Sequence, residues 1–248
     1  MKRLAALSVA VLLAGCSAEQ TASAPSPSSA SAPAPSSAPV AAPSSTMRPA
    51  PSPEATRALS TAVAANDLAG VRAAIAAGAD LEQRGAAGRT PLVAATKAGN
   101  TPIALALLDA GADPNAKDDI QDSAYLYAGA EGMTEILAST LRHGADVTSL
   151  NRYRGTALIP ACEHGHVANV KLLIAAKVDL DHVNASGWTC LLEAVILGNG
   201  DAAHVETVRL VLDAGAKPDL GDFDGVTPRQ HAVRRGQTAV IAEFDRSR

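Results

Sequence analysis

The stretch RTPLVAATKAGNTPIALALLDAGADPN, residues 89–115, carries three marks that return along the chain at a fixed spacing. Thr90 opens it with a hydroxyl that can cap a helix amino terminus, and Pro91 falls at the first helical position, where a missing N–H costs nothing. The helix predicted from there stops at Gly99, a residue that takes the left-handed cap conformation at little cost. A second apolar helix follows and ends at Gly111, the first residue of the triplet Gly-Ala-Asp. The residues after the triplet are of the turn-forming kind and predict a hairpin-like finger leading to the next copy.

Each mark recurs. Asp80, Asp113, Asp146 and Asp179 are 33 residues apart, and the first three sit in Gly-Ala-Asp triplets, whereas the fourth follows Lys177 and Val178. The capping residue returns as Ser123, Thr156 and Thr189 at the same spacing of 33, then as Thr227 after 38. Gly99 returns as Gly132, Gly165, Gly198 and Gly236, with Asn66 in a degenerate leading copy. Second helices show apolar residues at helical spacing, such as Val170, Leu173 and Ile174, or Val208, Val211 and Leu212. A period of 33 with these marks, over residues 54 to about 245, resembles the ankyrin repeat. The resemblance implies an all-α solenoid of stacked helix-turn-helix units with hairpin-like finger loops, filling residues 54–248 with about six repeats including caps.

Departures from the family pattern are informative. The histidine of its Thr-Pro-Leu-His motif is replaced by Val93, Leu126, Ile159, Leu192 and Gln230, so apolar packing is expected where the family hydrogen-bonds neighbouring loops. Copy two is the most eroded, with Ser123, Ala124, Tyr125 and Leu126 at the motif. Copy four holds five extra residues, 199–203, expected to lengthen the loop between its helices as a surface loop or as a contact loop for a partner. Arg229, Gln230 and the short end at Arg248 suggest a carboxyl-terminal cap.

Of 248 residues, 47% are hydrophobic but only 2% aromatic, which favours many thin helical layers over one aromatic-filled core. The net charge of -4, with scattered Lys and Arg, leaves no basic patch for phosphates, so nucleic acid is not an expected partner. The opening MKRLAALSVAVLLAGCS reads as a processing signal over residues 1–15, too short in its apolar run to span a bilayer. Leu13, Ala14, Gly15 and Cys16 resemble the lipobox of bacterial lipoproteins. That resemblance implies cleavage before Cys16, lipidation of its thiol and, since Ser17 rather than aspartate follows, an outer-membrane anchor facing the periplasm. Loss of Lys2 and Arg3 with the signal would take the formal charge from -4 to -6. Residues 16–53 read as the lipidated cysteine and a disordered Ala/Ser/Pro-rich tether.

One stretch raises a chemical alternative: ACEHGHVANV, residues 161–170, places Cys162, Glu163, His164 and His166 within five positions. In repeat register they fall on ordinary helix and junction positions, and a helix ending at Gly165 is expected to send the two histidines in different directions, so neither a metal nor a catalytic site is expected. Sequence signatures of hydrolases and phosphate loops are absent. Asp118 and Asp119 read as a solvated fingertip. Cys162 and Cys190 are expected to be free, because five helical residues of offset plus the step between repeats should part their Cα atoms by more than ~7 Å.

The family binds partners through its fingers and the inner face of its first helices. Carried over by position, that face includes Arg152, Tyr153, Glu163, His164, Trp188, Ile196, Leu197 and Phe223. Aromatic and arginine anchors are prominent among them, although Trp188 could instead fold over its own helix start. The expected function is therefore a lipid-anchored periplasmic module in the cell envelope that binds an unidentified protein partner as a monomer, with no cofactor, no metal and no catalysis. Alternatives are an inhibitor or immunity factor for one toxin or enzyme and, behind it, an envelope hydrolase using Glu163 and His164.

Overall fold

A computed structural model describes residues 51–247. The signal segment, Cys16 and all but the last residues of the tether lie outside the described residues. Among those described, twelve α-helices stand in pairs. An amino-terminal cap of α1 (Pro53–Ala64) and α2 (Leu68–Ala76) precedes copy one, α3 (Pro91–Lys97) with α4 (Thr101–Asp109). Copy two pairs α5 (Ala124–Ala130) with α6 (Thr134–Arg142), and copy three α7 (Leu158–Glu163) with α8 (Val167–Ala175). Copy four pairs α9 (Cys190–Ile196) with α10 (Ala202–Asp213), and copy five α11 (Pro228–Arg234) with α12 (Thr238–Arg246). First helices pack on first helices and second on second, so each copy touches its neighbours alone.

The caps form as the residue types dictate. Thr90, Ser123, Thr189 and Thr227 each accept a hydrogen bond from the backbone N–H three residues on, and Gln230 completes a capping box with Thr227. Copy three departs: α7 begins two residues after Thr156, whose buried hydroxyl finds no partner. Buried leucines such as Leu92, Leu107, Leu137, Leu158 and Leu173 fill the space between the layers, each contributing about 2 kcal/mol on burial. Val93, Leu126, Ile159 and Leu192 are buried at the position where the family carries its histidine, so apolar packing does replace it there.

The junction between the two helices of each copy explains the histidines of ACEHGHVANV. The His166 ring lies against Gly132 of the preceding copy, close enough that a Cβ there would meet it at 2.8 Å. In the same register His204 Nε2 lies 2.9 Å from the Glu163 carbonyl oxygen, and Gln237 Nε2 donates to the Val195 carbonyl at 3.2 Å. The side chain at this register position, His166, His204 or Gln237, thus packs against the end of the preceding copy's first helix. His164 and His166 do not part as expected, because their ring centroids are 5.5 Å apart.

Copy four extends one expectation and corrects another. Two of the extra residues, Ala202 and Ala203, open a second helix of 12 residues, against 9 in copies one to three, and a third, Asp201, is its cap. The insertion therefore lengthens α10 by most of a turn as well as the loop. The left-handed junction residue is Gly200 (φ 72°) and not Gly198, since the extra residues displace the turn.

The free-cysteine expectation fails. Cys162 and Cys190 are joined by a disulfide, with Cα atoms 5.4 Å apart. The reason is geometric: the end of one first helix abuts the start of the next, so the axial offset reckoned from register vanishes. The junction one copy earlier has the same arrangement, where a Cβ on Gly129 would come within 2.8 Å of the Ala157 Cβ. Gly129 and Ala157 each precede a cysteine by 33 residues.

Candidate concave binding face

The fingers are built on one recurring residue that the sequence reading passed over. Asp118, Asn151, Asn184 and Asp222 each direct Oδ1 at two backbone N–H groups, two and four residues on. The signal was present as a spacing of 33, 33 and 38. Because such a side chain must point inward, Asp118 is only 2% exposed and is not a solvated tip. Adjacent fingers also bond directly, with the Asp119 N–H donating to the Ala87 carbonyl and the Ala185 N–H to the Tyr153 carbonyl.

Around copies one and two the face holds a closed ionic group. Lys97 Nζ lies 2.6 Å from Asp118 and 2.8 Å from Asp122, and 5.2 Å from the centroid of the Tyr127 ring. Burial opposes the Lys97 charge, but hydrogen bonds to the two carboxylates outweigh it and raise its pKa above the ordinary lysine value. Arg152 reaches Asp122 at 3.0 Å and lies 4.9 Å from the Tyr153 ring centroid.

Further along, the face opens into a cavity of about 360 Å³ between copies two and four. Arg152, Tyr153, Glu163, His164, Trp188 and Leu197 line it, six of the eight residues that sequence register assigned to the face. Ile196 and Phe223 do not. Phe223 is 79% exposed and its ring lies over Gly187, while Ile196 is half-buried. Trp188 is half-buried at the cavity wall, and Tyr153, 60% exposed, stands at its rim.

Sequence register did not single out Glu193, which sits on the cavity floor. Its residue is 7% exposed, and its Oε1 accepts the Asn184 Nδ2 hydrogen at 2.7 Å. Burial, joined by the Glu163 charge and only partly offset by Asn184, pushes its pKa up to about 7. Neither Glu163 nor Glu193 makes an ion pair among the described residues. The cavity thus combines carboxylates, aromatic rings, amides, the His164 imidazole and an Arg152 guanidinium already paired with Asp122, a lining suited to holding a ligand's polar group rather than to a named reaction.

Comparison with known proteins agrees with this architecture. The family model for ankyrin repeats (3 copies) matches residues 45–118 and 125–222. The ankyrin repeat protein YahD of Escherichia coli (strain K12) is 34% identical over 171 residues, covering 68% of this chain and 85% of YahD. Among solved structures, an ankyrin repeat domain from Acinetobacter baumannii AYE superposes with a TM-score of 0.74 at 50% identity, covering 76% of this chain and 96% of that one. The ankyrin repeat domain of Bcl-3, a member of the IkappaB family, gives 0.68 at 26% identity, over 77% of this chain and 85% of its own. With the repeat marks, the stacked helix pairs and these matches together, the chain belongs to the ankyrin repeat family.

Proposed function

We propose that this protein is a non-catalytic binding module of the cell envelope, lipid-anchored through Cys16 and facing the periplasm, which holds another protein against the concave face of copies two to four. The observation that carries the binding reading is the cavity itself, where an anchor aromatic, Trp188, meets unpaired carboxylates on a face whose fingers are already fixed. Ankyrin repeats in general act by binding proteins, and interface affinity concentrates in such partly buried aromatic pockets. Export is supported by the Cys162–Cys190 bridge, since structural disulfides persist in oxidising compartments and are rare in the cytosol.

The binding reading is tested in intact cells by replacing Trp188 with a photocrosslinking residue and, as control, Glu135 on the outer helix α6. A discrete crosslinked species from position 188 and none from 135 is expected; equal capture from both would overturn it. The anchor is tested separately by Cys16→Ser, which should move the protein out of the membrane fraction.

A further inference from the structure

The closed ionic group of copies one and two has a counterpart two copies on, at positions 66 residues later. Lys97, Asp118, Asp122 and Tyr127 correspond in register to Glu163, Asn184, Trp188 and Glu193. Both sets contain two carboxylates and one aromatic ring. In the first set a fourth member, Lys97, supplies the cation, bonded to both carboxylates and near the ring. In the second set that lysine's position is itself a glutamate, and the fourth member is the neutral amide of Asn184. Tyr127 and Tyr153 have Lys97 and Arg152 beside their faces, whereas no such cation accompanies Trp188 among the described residues.

We infer that the cavity receives a basic side chain of the bound protein, an arginine guanidinium or lysine ammonium, seated by Glu163 and Glu193 beside Trp188. This rests on the reading of the face as a protein-binding surface and adds the chemistry that the partner must present. A carboxylate as enclosed as Glu193 is normally paired with a cation. Here the chain leaves it with one amide donor and a second carboxylate close enough to oppose its ionisation. A cavity of about 360 Å³ has room for one long side chain, and the Trp188 indole lining the same cavity is the residue type best suited to a cation–π contact.

Trp188 is the only tryptophan of the chain, so its emission and its indole N–H resonance report on this cavity alone. The full-length protein would be titrated with acetyl-Gly-Arg-Gly-amide, its lysine counterpart, and the citrulline isostere of the arginine peptide. The arginine or the lysine peptide, or both, should give a saturable change, with the stronger naming the preferred side chain, and citrulline should bind at least about tenfold more weakly. Glu193→Gln and Glu163→Gln, with helix content unchanged, should each weaken the cationic peptide by about tenfold, while Glu135→Gln should leave it alone. Equal binding of citrulline and arginine would overturn the inference. So would unchanged affinity in Glu193→Gln, or no response to either cation up to about 50 mM. Crosslinking from position 188 separates the two readings. Capture that persists at full yield in a background of Glu163→Gln and Glu193→Gln keeps the protein-binding surface and removes the basic anchor. Peptide binding without capture does the reverse.

Discussion

The junction between copies one and two and that between copies three and four answer the same packing problem with different chemistry. At the first, Thr96 and Ala124 occupy the positions that Cys162 and Cys190 occupy at the second. There the fingers are drawn to the helices by Lys97 between Asp118 and Asp122. At the second junction the lysine is gone and a covalent bond joins the copies. The difference teaches that Glu163 and Glu193 can stay without a cation because the stack no longer relies on one there. One end of the face is neutralised by its own side chains, and the other keeps its acidity for something else.

The sharpest way to break that comparison is Lys97→Met, which leaves Asp118 and Asp122 enclosed with reduced compensation. It should destabilise the domain by roughly 3–5 kcal/mol in urea unfolding, and an effect below about 1 kcal/mol would mean that the ionic group is a surface feature. Next in size, the paired change Cys162→Ala and Cys190→Ala opens a loop of sequence separation 28. It should cost about 3 kcal/mol, with the same loss when the wild type is reduced. Equal stability of oxidised and reduced protein would show that the bridge does not carry the junction.

Glu193→Gln sharpens the comparison through pH. In the folded protein this carboxyl holds its proton up to about pH 7, against an ordinary value of 4.5. Between those values the folded state binds more protons than the unfolded, so this group's contribution to stability is lost as pH rises through the window. Relative to wild type, the variant should gain roughly 2–3 kcal/mol between pH 4.5 and pH 8, and parallel stability curves would contradict it. The smallest effect concerns Lys177, which takes φ 60° where the corresponding positions in other copies are glycine. Lys177→Gly should stabilise the domain by up to about 1 kcal/mol, read as a shift in the urea midpoint.

Much of the fold is legible in the sequence because ankyrin copies repeat their caps and stops at fixed intervals. Thr90, Ser123, Thr189 and Thr227 are caps wherever one looks, and Gly99, Gly132 and Gly236 end their helices as read. What register alone does not yield is the contact between copies. The Cys162–Cys190 bridge depends on how one helix end meets the next helix start, a relation absent from any single copy. Asp118 looks like a fingertip acid because its neighbours are polar, and only the loop geometry turns it inward. Glu193 escapes notice for a different reason: its position is tyrosine, proline or histidine in copies two, three and five, so no periodic signal marks it. Its meaning comes from Glu163 and Asn184, which lie in other segments of the chain.

The inward asparagines and aspartates of the fingers bear on the kinetics of recognition. A loop whose tip amides are already bonded to Asn151 or Asn184, and whose neighbour is bonded to it in turn, has little freedom left to surrender on contact. Docking should then resemble the meeting of two rigid bodies, with little loop ordering at the moment of encounter. Such a surface gains its discrimination from rejection: a partner that presents the wrong charge to the cavity finds no alternative finger conformation to accommodate it, and leaves quickly.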